Sequence, residues 1–191
     1  MSRFNIKRHL KRRKRVASQM NSGGLEAKLI SQNNLNLAVV ELNGNVGWPS
    51  DFRAKTFIDT LKGLGSYDLL YSVLDSAGGS PVDSWGIYHF LKTAPKARYG
   101  SVVLIAGQCS ADAILIALGF NQILMRPGAY LKFESIMFSR PVAGRLVTRL
   151  LARLVAERSG SQPEDVLGWM DKNKKLSATD CLERSLCDAL V

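Results

Sequence analysis

Histidine is nearly absent from this sequence, which holds only His9 and His89, far apart along the chain. Cysteine is scarce as well. Cys109, Cys181 and Cys187 are odd in number and lack metal-ligand spacing, which argues against structural zinc or a paired disulfide framework and points to a reducing compartment such as the cytoplasm. No apolar run approaches the roughly 20 residues that span a bilayer, and the N-terminus lacks the apolar stretch of a secretory signal. Acidic residues are missing altogether from positions 1–24, which leaves an organelle-import segment open. Nothing in the pattern calls for a cofactor or a metal.

What is present suits one core and a tail. The chain has 191 residues, 46% of them hydrophobic, with a formal net charge of +10. That charge is unevenly placed: residues 1–24 carry Arg3, Lys7, Arg8, Lys11, Arg12, Arg13, Lys14 and Arg15, whereas the rest holds 18 basic and 16 acidic side chains. The body therefore offers no bulk electrostatic attraction for nucleic acid. Residues 1–24, ending in Asn21-Ser-Gly-Gly24, are expected to form a flexible basic arm, and residues 25–191 a single domain. Such an arm is either a solubilising tail or a contact for an anionic partner, nucleic acid or an acidic membrane.

Along the body, short apolar runs alternate with helical periodicity. Leu37 to Gly44, Tyr67 to Asp75, Ser101 to Ala106 and Gln122 to Met125 read as buried strands, with a shorter one at Tyr130 to Phe133. Between them, Ser50 to Gly63, Val82 to Lys92 and a stretch from about Ser110 to Leu118 read as helices. This alternation predicts a mostly parallel sheet with right-handed crossovers. Further on, Val142, Leu146, Val147, Leu150, Leu151, Leu154 and Val155 make an apolar stripe beside Arg145, Arg149 and Arg153, so an amphipathic helix either packs on the domain or projects toward another subunit. Glu164 to Met170 and a segment capped by Ser177 complete the helices.

Three segments carry a resemblance. Asp75-Ser-Ala-Gly-Gly-Ser80 is followed six residues on by Ile87-Tyr88, Gly107-Gln108 opens a small-residue stretch, and Leu176 to Asp188 reads LSATDCLERSLCD. In this order and spacing they resemble the Clp protease proteolytic subunit and its relatives in the crotonase superfamily, among them signal peptide peptidases and serine dehydrogenase proteinases. The resemblance runs from about Leu37 to the C-terminus. It implies an α/β fold of repeated ββα (βαβ) units with a mostly parallel sheet and a C-terminal helical handle. It also implies a homo-oligomer, here through the 142–155 helix, and serine peptidase chemistry on a peptide or protein substrate.

In that family a serine attacks the peptide carbonyl, a histidine takes its proton, an acid orients the imidazole, and backbone N–H groups hold the developing oxyanion. Gly78 and Gly79 stand at the position implied for the oxyanion hole. The serine position falls on Ala111 when the match is anchored at Gly107-Gln108, and again when it is anchored at Leu115 to Leu118. Anchoring at Ala117-Leu-Gly119 gives Ser110 instead. Ser110 would then be the nucleophile, and otherwise a helix cap. The histidine position carries Glu134, and Asp171 lies near the family's aspartate with a spacing to Ser177 two residues shorter. Lys132 is the nearest ammonium for a serine–lysine pair, which would require its pKa to be lowered. Cys109 and His89 read as a core thiol and a helix side chain. The expectation is a Clp-like subunit with a degenerate triad that acts by assembly or binding, the alternative an active serine endopeptidase using Ser110 with an unusual base. A CoA-binding crotonase enzyme has only the shared fold behind it.

Overall fold

Strand-forming and helix-forming segments follow one another much as their periodicity requires. The computed structural model describes residues 15–22, 24–47, 52–94, 97–136 and 141–191. In chain order these form β1 (Arg15–Ser22), β2 (Leu25–Gln32), β3 (Leu35–Asn43), α1 (Ala54–Gly63), β4 (Leu69–Ser76), α2 (Pro81–Thr93), β5 (Ser101–Ser110) and α3 (Ala113–Gly119). Then come β6 (Gln122–Met125), β7 (Tyr130–Lys132), α4 (Pro141–Ser159), α5 (Pro163–Asp171), β8 (Lys175–Ser177), α6 (Ala178–Glu183) and β9 (Ala189–Leu190).

All nine strands among the described residues join one sheet in the order β1-β2-β3-β4-β5-β6-β9, with β7 beside β5 and β8 beside β7. The centre is parallel: β3 with β4, β4 with β5, and β5 with both β6 and β7. β5 is buried on both faces over its first five residues and reads there as an apolar run, whereas burial alternates along β4. Val40, Leu42, Leu74, Val103 and Ile105 are fully enclosed. The helices pack in succession, α1 on α2, α2 on α3, α3 on α4 and α4 on α5. Phe57 and Phe90 lock the first pair edge to face at 6.3 Å. Among the described residues no helix is long and apolar enough to cross a membrane.

Two expectations are corrected. First, the basic arm does not extend to residue 24, because Arg15–Ser22 pairs antiparallel with β2, and β2 with β3. A strand at the sheet edge is held through its backbone and needs no apolar run, so β1 left no pattern to read. The remaining basic residues of that arm, Arg3 to Lys14, lie outside the described residues.

Second, β5 does not stop at Ala106. Its partner register moves from Leu74↔Ile105 to Ser76↔Cys109, so three residues bulge opposite Asp75, and the strand then resumes against β7 through Gln108↔Tyr130 and Ser110↔Lys132. The Asp75 carboxylate holds the bulge by accepting the Gln108 N–H at 3.0 Å. Gly107 is glycine because a Cβ there would run into that same carboxylate.

Of the two placements open to α4, packing on the domain holds for its C-terminal part. Leu151, Ala152, Val155 and Ala156 are buried in the core, whereas Leu146, one turn and more earlier, is 61% exposed. The Ser177 cap forms as expected, within a reciprocal box with Asp180.

Candidate functional site

Two turns meet at the C-terminal ends of β4 and β5, where ligands of open parallel sheets are commonly held. The first is the Gly78-Gly79 turn leading into α2. Both residues have positive φ, 89° and 149°, a backbone that side chains other than hydrogen resist. The turn is pinned to β3's end by Val46 N–H donating to Gly78 O at 3.0 Å and Ser80 N–H donating to Val46 O at 2.9 Å. A Cβ on Gly79 would overlap the Val46 carbonyl, and one on Gly78 would lie 2.9 Å from the Ser110 carbonyl oxygen. The glycines thus allow close approach on both sides.

The second turn joins β5 to α3. Ser110 ends the strand, Ala111 bends in the left-handed region at φ 49°, and α3 starts at Ala113. Ser110 is therefore a strand residue and not the helix cap; its backbone is in the sheet ladder opposite Lys132. It is 2% exposed, and among the described residues its hydroxyl has no hydrogen-bond partner. Ala111, the position reached by two of the three sequence anchors, makes the corner itself, and its N–H donates to Lys132 O at 3.0 Å.

Lys132 lies beside Ser110 in register, but its ammonium is engaged by Glu134 at 2.7 Å. That hydrogen bond and the Glu134 charge raise the Lys132 pKa above its ordinary value, opposite to what a lysine base requires. Lys132 and Glu134 are therefore together as an ion pair. Asp171 ends α5, exposed, and shares no hydrogen bond with Ser110, Lys132 or Glu134. His89 is exposed on α2. The Cys109 thiol is fully buried, and burial pushes its pKa well above the ordinary thiol range, so it is a poor nucleophile.

Neither amide of the glycine turn is free. Gly78 N–H donates to Ser76 Oγ at 3.1 Å, and Gly79 N–H donates to Asp112 Oδ1 at 2.9 Å. Asp112 is 3% exposed, and its other oxygen accepts the hydroxyl of the fully buried Ser84 at 2.6 Å. The sequence reading passed over both Asp112 and Ser84. One signal was available: Asp112 is the sole charged residue between Gly107 and Gly119, next to the candidate nucleophile positions. Below these turns, Tyr130 Oη donates to Gln108 Oε1 at 3.0 Å and Lys175 Nζ stands 3.5 Å from the Tyr130 ring centre, so the strand face leading away from Ser110 is polar and cationic.

No protein-family model matches the sequence, and no curated protein matches it either. Solved structures do. A variant of ClpP1 from Listeria monocytogenes superposes with a TM-score of 0.68 at 17% identity, covering 80% of this chain and 90% of that one. A variant of the 1510-N membrane-bound stomatin-specific protease superposes with a TM-score of 0.59 at 14% identity, covering 81% and 78%. Identities this low speak for architecture alone. With the parallel sheet, the glycine turn after β4 and the corner after β5 all in place, the chain has the fold of the Clp protease proteolytic subunit.

Proposed function

We propose that this chain is a catalytically degenerate, homo-oligomeric subunit of Clp protease fold that acts by assembly or binding. The observation that carries the reading is the Asp112 carboxylate on the Gly79 amide. Peptide hydrolysis needs that amide to face a developing negative charge, and loss of one such donor costs roughly a hundred- to a thousand-fold in rate. A carboxylate in its place adds repulsion, on the order of 4 kcal/mol for two unit charges about 4 Å apart at an effective dielectric near 20. The unpaired Ser110 hydroxyl and the engaged Lys132 ammonium point the same way. For assembly, the exposed Leu146 on α4, flanked by exposed Arg145 and Arg149, is the surface we assign to a second copy. The basic N-terminal residues are assigned to an anionic partner.

Labelling with a fluorophosphonate probe tests the reading. Wild-type protein is expected to stay unlabelled and to cleave no peptide substrate. Labelling that disappears in Ser110→Ala would establish the other reading, an active serine peptidase built on Ser110.

A further inference from the structure

Asp112 stands at the N-cap of α3, where an aspartate ordinarily accepts an N–H of its own helix. Here it makes no such bond. Both oxygens instead cross to the neighbouring segment, one to the Gly79 N–H and one to the Ser84 hydroxyl. No lysine, arginine or histidine forms an ion pair with it among the described residues. A buried carboxylate is thus held by two neutral donors that converge on it from one turn and one helix. The turn is shaped around it, since a Cβ on Gly78 would lie 2.8 Å from Asp112 Oδ1.

From this geometry we infer that the Gly79 amide and the Ser84 hydroxyl form a carboxylate-binding site, with Asp112 as its tethered occupant. The ligand class is a small monocarboxylate or the terminal carboxylate of a chain, because the two donors address the two oxygens of one planar group. Tethering gives Asp112 an effective concentration that no free carboxylate matches, so the site is closed in the intact protein. Without the side chain, two donors are orphaned and a space the size of formate opens. Gly79 is exposed, so the turn that carries one of the two donors lies at the surface.

This inference rests on the proposed function only in taking Asp112 as what occupies the Gly79 amide, and its test is separate. Full-length wild type, Asp112→Ala and the double variant Asp112→Ala with Ser84→Ala are melted in sodium formate up to about 0.2 M, against sodium chloride at equal ionic strength. Asp112→Ala is expected to melt about 5 to 10 °C below wild type in chloride and to regain much of the loss, saturably, in formate. Wild type should not respond, and the double variant should respond markedly less. Recovery no greater in formate than in chloride, or an equal response from wild type, would overturn the inference. If Asp112→Ala does not fold in chloride, it is refolded from urea in both salts: folding in formate alone supports the site, and folding in neither overturns it. Probe labelling at Ser110 would sink the degenerate-subunit reading and leave formate rescue intact, whereas absent rescue would remove the carboxylate site and leave the labelling result standing.

Discussion

Ala111 occupies a backbone conformation that costs an L-residue roughly 1 to 2 kcal/mol. Glycine there would relieve the strain but lose about 0.4 to 1 kcal/mol through the freer unfolded chain. Ala111→Gly is therefore expected to gain about 0.5 kcal/mol in urea unfolding; a net loss would mean that the alanine methyl is packed more tightly than the turn requires. The sequence did narrow the nucleophile question to Ser110 and Ala111, and both lie at the β5 end. It could not place their backbones, because β5 runs on past Gly107 only through pairing with β7, some 20 residues later. Asp112 stands out in the sequence as a lone charge in an apolar stretch, but its role was not legible there, since its partners are 33 and 28 residues away.

At the scale of elements, the buried parallel strands and the capped α6 were readable because each carries its own signal, an apolar run or a Ser–Asp box. The β1–β2 hairpin was not, since an edge strand bonds through backbone groups that every sequence has. That hairpin sets where the basic tail can be cut. Removing residues 1–14 stops short of β1 and should leave the melting temperature unchanged, while abolishing salt-sensitive retention on heparin or acidic vesicles. Removing residues 1–24 takes out a strand and should lower the melting temperature as well. Retention that survives the shorter deletion would dissociate the tail from any anionic partner.

Across the whole molecule, β5, α6 and the connection to β9 each bury a thiol, and β9 returns the C-terminus to β6. Asp188 secures that return, accepting the Ile123 N–H at 2.7 Å and the Arg158 guanidinium at 2.7 Å. Burial pushes Cys181 up to about 12 and Cys187 to about 11, with Cys109 also well above its ordinary value. Folded thiols thus stay protonated where unfolded ones ionise, so stability is full below about pH 8.5 and falls as pH rises toward the folded values. Native protein at pH 8 should react with a disulfide reagent only as fast as it unfolds, and denatured protein should react at all three cysteines. Fast native reaction would show that the C-terminal segment opens on its own.

The bond between Asp112 and the glycine turn also bears on descent. On the proposed reading, a serine arising at position 111 would meet a carboxylate already seated on the Gly79 amide, and loss of Asp112 alone would supply no attacking group. On that reading neither change helps without the other, and the loss of Asp112 carries a folding penalty as well. On the proposed reading, this lineage passed through a one-way gate made of a single aspartate.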